Sequence, residues 1–159
     1  MTNKLGLTLV EIILVLGIIA VLSSFASFNI VRSRNAVSLD STVSSLINDI
    51  KSQQIQAMSG YSQTGVKIPC GIYFETNRYI LFYKDSYLSS DSTNFPINLD
   101  QDNQFSLINL PTSQIVFASA NGEIKDFDPS KNYVTLKNIN SGETKKIHFN
   151  KFGVVYEIN

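Results

Sequence analysis

From Ile12 to Val31 the chain carries no charged residue, and from Leu7 to about Ile30 apolar residues lie on every side of a helical wheel. Twenty uncharged residues span about 30 Å as a helix, enough to cross the hydrocarbon core of a bilayer. One acid, Glu11, stands at the head of this run. A carboxylate there is costly in lipid and points to a function that supplies it with a partner. After Val31 the pattern changes without a turn signal. Arg32 and Arg34 mark a water interface, and Ala36, Leu39, Val43, Leu46, Ile47, Ile50, Ala57 and Met58 then recur at helical spacings among Ser, Asn, Asp and Gln. That is an amphipathic helix with one apolar stripe. Leu7 to about Met58 therefore reads as one continuous helix, closed by Ser59-Gly60 with Gly60 as a left-handed cap. No proline precedes Pro69 to break it.

Beyond Gly60 the pattern shifts to strands. Ile68 to Phe74 and Arg78 to Tyr83 form a hairpin around Glu75-Thr76-Asn77. Ser86 to Gln104 reads as a loop, with short strands at Ile97 to Leu99 and Phe105 to Leu110. Gln114 to Ser119 is a strand turned by Asn121-Gly122, which Glu123 to Phe127 answers. Tyr133 to Lys137, Lys145 to Phe149 and Val154 to Ile158 complete a meander, turned near Ser141-Gly142 and at Lys151-Phe152-Gly153. Ile115 and Phe117 share a face, as do Val134 and Leu136, Ile147 and Phe149, and Val154, Tyr156 and Ile158. A sheet with one apolar face needs a cover, and the stripe from Ala36 to Met58 supplies it. The predicted fold class is α+β: a long N-terminal helix packed through its second half on an antiparallel β-sheet domain.

Composition narrows the function. Thirteen acids balance thirteen bases, so no bulk charge draws the chain to nucleic acid. Cys70 is the only cysteine, which rules out an intrachain disulfide and, beside Pro69 in an apolar strand, reads as a buried thiol. No local Ser/His/Asp or Cys/His motif appears, so neither an enzyme nor a cofactor is expected. His148 is the only histidine and opposes the apolar face of its strand, a surface position that argues against zinc. Asp100-Gln-Asp102-Asn103 resembles a calcium loop but lacks the EF-hand glycine; a solvated loop is the plainer reading. Lys145, Lys146 and Lys151 form a small basic cluster that could touch DNA, diluted by Glu143 and Glu157. The N-terminus does not fit a secretory signal: the apolar run is too long and continues directly into a helix.

Gly6-Leu-Thr-Leu-Val-Glu11 followed by the apolar run resembles the class III signal of type IV pilins and of the pseudopilins of type II secretion. Ile115-Val-Phe, Asn121-Gly122, Val134-Thr-Leu136, Ile147-His-Phe149 and Gly153-Val-Val155 are similar, more loosely, to H-type pseudopilins and FimT-like minor pilins. The resemblance implies cleavage by a prepilin peptidase between Gly6 and Leu7, N-methylation of Leu7, and assembly into a filament through the N-terminal helix. It assigns residues 1–6 to a leader, 7–30 to the membrane and filament-core half of the helix, 31–59 to its amphipathic half and 60–159 to a β-rich domain. Glu11 would meet the new N-terminal amine of a neighbouring subunit. Leu7 stands where Phe is commoner, and the paired C-terminal cysteines of many type IV pilins are absent. The implied partners are other pilin or pseudopilin subunits, the peptidase, an inner-membrane assembly platform and membrane lipid before assembly. The implied topology puts the C-terminal domain outside, against the weak lean of Arg32 and Arg34 toward a cytoplasmic C-terminus. The Ser86–Gln104 loop would make subunit-specific contacts. A minor pilin that binds in DNA uptake or adhesion is the alternative.

Overall fold

The computed structural model describes residues 8–60, 67–119 and 121–158, and the side chains of these except 25–37, 157 and 158. It is an α+β chain with one long helix, a short 3-10 turn and two antiparallel sheets. It divides into two compact units, the first ending at Arg34 and the second beginning at Asn35.

Helix α1 spans Leu9–Ser59. Its start is fixed by Thr8, whose hydroxyl oxygen accepts the Glu11 backbone N–H at 3.3 Å. Thr8-x-x-Glu11 thus has the sequence form of a capping box, and its N-cap half is made. Its end is fixed by Gly60, which takes φ +82° and donates its N–H to the Gln56 carbonyl at 3.1 Å. The expected left-handed cap is present.

The second unit begins with the amphipathic part of α1. Leu39, Val43, Leu46, Ile50 and Ala57 are buried at spacings of four, three, four and seven. They pack on the inner faces of both sheets in one core. Sheet 1 has the order β3-β2-β1-β5, with β1 Cys70–Glu75, β2 Arg78–Phe82, β3 Phe95–Asn98 and β5 Gln114–Phe117. Sheet 2 has the order β4-β6-β7-β8, with β4 Asn103–Asn109, β6 Tyr133–Asn138, β7 Thr144–Phe149 and β8 Val155–Ile158. Ile72, Phe74, Ile115 and Phe117 of sheet 1 face Phe105, Val134, Leu136, Ile147 and Phe149 of sheet 2 within that core. Burying a large apolar side chain stabilises by about 1.5–3 kcal/mol, so the helix stripe alone contributes on the order of 10 kcal/mol before entropy is counted.

Three expectations are corrected here. The strands form two sheets and not one meander, because β5 pairs with β1 across more than forty intervening residues, Ile72 opposite Ile115. Glu123 to Phe127 does not form a strand: only an isolated bridge joins Phe117 and Ile124, and Asp126 at φ 51° turns the chain away. In β8, Phe149 pairs with Val155 but His148 with Glu157, so Tyr156 is an extra bulged residue. Val155 therefore packs against the core, whereas Val154 and Tyr156 are exposed.

The second face of sheet 1 is covered as well. Residues 83–94 cross it and set Tyr87 on Tyr73, ring centroids 4.1 Å apart and nearly parallel. Gln114 Oε1 accepts the Tyr87 N–H at 3.0 Å, and Lys84 pairs with Asp91. Beneath them Phe82 lies over Gly71, where a Cβ would come within 2.4 Å of the ring. All four sheet edges are blunted. β3 is short and carries Pro96; β4 has a bulge at Ser106; β5 is hydrogen-bonded by residues 123–125; β8 has its bulge at Tyr156. These are the devices by which sheets avoid adding foreign strands.

Candidate functional site

The apolar run of α1 and the acid at its head form the candidate site. Eleven large apolar side chains between residues 9 and 22 are exposed, from 46% at Val15 to 75% at Leu9. They include neighbours such as Ile12, Ile13, Leu14, Val15 and Leu16, which point in all directions around a helix. No single docking partner on one side could cover them. A cover that reached all of them would have to surround the helix. Soluble monomers rarely expose so much contiguous apolar surface. Among the described residues no helix is long and apolar enough to cross a membrane. The uncharged run in the sequence continues to Val31, past the last of these described side chains at Ser24.

Glu11 is exposed in the first turn of α1 and makes no ion pair among the described residues. Its position has a local rationale in the start of the helix. A carboxylate in the first helical turn faces the positive end of the helix dipole, which is worth about 0.3–1 kcal/mol. The sequence signal for it is Thr8 three residues earlier, the spacing of a capping box. Gly6 and Leu7, the expected cleavage pair, lie outside the described residues.

The remaining candidates are engaged within the fold. Lys145 Nζ lies 3.4 Å from Asp40 of α1, tying β7 to the helix. Lys146 Nζ sits 3.8 Å above the Tyr133 ring. Lys151 Nζ is 3.2 Å from Glu123. His148 is half-buried, with Tyr133 and Tyr156 at ring-centroid distances of 5.0 and 5.6 Å. Asp100 accepts the Ser38 hydroxyl at 3.2 Å, and the Asp102 carbonyl accepts the Ile139 N–H. No group of three or more His, Cys, Asp or Glu side chains placed to hold a metal occurs among the described residues. Cys70 is fully buried, and burial pushes its thiol up to about 11.

Two polar features join α1 to the sheets, and neither was legible in the sequence. Asn103, buried at the start of β4, donates to Ser38 Oγ at 3.1 Å and Thr42 Oγ1 at 2.9 Å, while its oxygen accepts from Asn138 at 3.0 Å. Asn138 in turn accepts the N–H groups of Asn140 and Ser141 and so closes the β6–β7 turn. Near the helix C-terminus, Gln54 Nε2 donates to the carbonyls of Gly122 and Phe152 at 2.9 and 2.6 Å. One amide thus holds two turns, whose glycines at φ +68° and +71° allow the helix to approach closely. These contacts fix the helix stripe on the sheets.

Compared with protein-family models, with curated proteins and with solved structures, the chain matches none of them.

Proposed function

We propose that the chain is a structural subunit of the type IV pilin or type II secretion pseudopilin kind, with a pilin-like fold and no catalytic role. It is made as a precursor inserted in the inner membrane, with the C-terminal domain outside. Prepilin peptidase cuts it between Gly6 and Leu7, and Leu7 is methylated. It then joins other pilin or pseudopilin subunits through α1. One observation carries this reading: the apolar surface of residues 9–22 runs all the way round the helix, and the same helix continues as the cover of both sheets. Even partial burial of eleven such side chains contributes on the order of 10 kcal/mol, enough to drive either membrane insertion or bundling. Glu11, once buried in such a bundle, is costly unless an opposite charge meets it. The amine exposed by cleavage before Leu7 is that charge, supplied by a neighbouring copy or a sister subunit.

The test separates the charge of Glu11 from the rest of its side chain. Glu11→Gln removes the charge and keeps the side chain's length and polarity, whereas Glu11→Ala removes both. Filament incorporation lost in both variants, with normal amounts of membrane-inserted protein, is the expected result. Normal incorporation of Glu11→Gln refutes the pairing role. A Gly6→Leu chain that is still shortened by six residues refutes the peptidase assignment. For the DNA-uptake alternative, Lys145, Lys146 and Lys151 are each already engaged within the chain, and no observation favours it.

A further inference from the structure

We propose that the pocket beside β5 binds a short extended peptide segment bearing positive charge. The pocket is a gap in strand pairing. The Val116 carbonyl accepts the Lys125 N–H, and the Ala118 N–H donates to the Glu123 carbonyl, each at 2.8 Å, so residues 123–125 run antiparallel along the outer edge of β5. The pairing then stops, because Asp126 at φ 51° carries the chain outward. At the other end Thr112 and Ser113, at φ 47° and 55°, bend the chain just before β5 begins. A pocket of about 200 Å3 remains between these bends, walled by the edge of Gln114 and Val116 over a floor that includes Leu110, Ile124 and Phe149.

Thr112, Ser113 and Asp126 are the only non-glycine residues with positive φ among the described residues, and two of them, Thr112 and Asp126, line this one pocket. A left-handed conformation costs an ordinary residue about 1–2 kcal/mol, and it is a genuine outlier for a β-branched threonine. The chain therefore holds open, against a local cost, the slot into which a strand would continue. Strain of this kind gathers at ligand clamps. The Gln114 N–H is donated to the Pro111 carbonyl and the Val116 carbonyl accepts from Lys125, so the edge offers a peptide the Gln114 carbonyl and the Val116 N–H. Two such main-chain groups beside an apolar pocket are the equipment for peptide recognition by strand addition, in which the pocket selects a side chain.

Charge selects the sign of the peptide. Asp85, Asp126 and Asp128 line the mouth against Lys125 and Lys131. Lys125 is paired with Asp85. The Asp128 carboxyl is held below the usual carboxylate range by the Ser130 hydroxyl and N–H, so it stays ionised. Asp126 is exposed and has no ion pair among the described residues. The rim is net negative. This inference rests on the second unit alone and stands or falls apart from the filament reading.

The test is a titration of the isotope-labelled full chain in detergent micelles, followed by amide chemical shifts. The probes are acetyl-Lys-Val-Lys-amide and acetyl-Glu-Val-Glu-amide. The expected result is a shift of the Gln114, Val116 and Asp126 amides with the lysine peptide, which binds about threefold to tenfold more tightly than the glutamate peptide. Asp126→Asn, which keeps a residue that tolerates the left-handed region, is expected to narrow that difference. In the unaltered protein, added salt is expected to narrow it as well, so the proposal stays testable if the variant misfolds. It is overturned if these amides do not shift up to about 10 mM peptide, if both peptides bind equally, or if neither salt nor the variant changes the ratio.

Discussion

Replacing Gln53 by Met is expected to stabilise the second unit, although it removes a polar side chain from a helix. Gln53 lies on the buried stripe of α1 between Ile50 and Ala57 and is 0% exposed. Among the described residues, neither its Nε2 nor its Oε1 has a hydrogen-bond partner. An amide buried in that state costs roughly 1–3 kcal/mol relative to an apolar group of the same shape. Methionine has a similar length, no polar amide and an adaptable thioether. The substitution should therefore add about 1–3 kcal/mol, or about 3–5 °C of Tm per kcal/mol for a unit of this size. The matched control is Asn103→Leu. That amide is satisfied by Ser38, Thr42 and Asn138, and its loss leaves the Asn138 amide without its acceptor. At about 1 kcal/mol per net bond plus the stranded group, the expected loss is about 3 kcal/mol. The assay is urea denaturation of the full chain in detergent, read by tyrosine near-UV circular dichroism. All seven tyrosines lie at or beyond Tyr61, so the signal does not come from the apolar run of α1. Opposite shifts for the two amide-to-apolar changes support the reasoning. A midpoint that falls for Gln53→Met would show that its amide is satisfied after all, and the accounting for this stripe would be wrong.

Two further outcomes follow from the packing. Gly71→Ala places a Cβ 2.4 Å from the Phe82 ring and 2.7 Å from the Ile115 carbonyl oxygen; the ring can turn but the backbone cannot, so a loss of about 1–3 kcal/mol is expected, and an unchanged urea midpoint would refute this account of sheet 1. Stability is also expected to fall above about pH 9, because burial raises the Cys70 thiol to about 11, and burial, followed by the bond to Asp49, raises the Tyr79 phenol. The unfolded chain then releases protons that the folded chain retains, so stability is fully present below the unfolded values and is lost as pH rises through the folded ones, by about 2 kcal/mol for the thiol. Midpoints that stay level between about pH 8 and 11 would contradict it, as would rapid alkylation of Cys70 in the folded protein at neutral pH.

What the sequence made legible is what local pattern controls. The extent of α1, its Gly60 cap, the hairpin at Thr76-Asn77 and the Asn121-Gly122 turn all follow from period, cap and turn chemistry within a few residues. The division into two sheets does not, because the pairing of β1 with β5 joins segments whose local patterns would suit either sheet. The bulge at Tyr156 escaped for a related reason. Val-Val-Tyr-Glu-Ile alternates acceptably in two frames, and only pairing with His148 and Phe149 selects the one that buries Val155. The anchoring roles of Asn103 and Asn138 are not legible, since nothing in the sequence tells a buried amide from a solvated one. Glu11 is legible as an acid heading an apolar run, and its place three residues after Thr8 acquires meaning only from the bond between the Thr8 hydroxyl and the Glu11 N–H. Its proposed part in assembly rests on the resemblance of the motif.

The blunted sheet edges bear on crowding. A domain held beside its own copies meets them at an effective concentration in the millimolar range. There, a single bare β-edge would favour runaway cross-β stacking, which once formed is hard to reverse. A proline, two bulges and one short covering segment leave open only the short Gln114–Val116 stretch beside β5, too short to seed that outcome. An array of these domains could therefore be packed tightly and taken apart again without fusing. Reversibility, on this account, is guarded on the sheets and not on the helix.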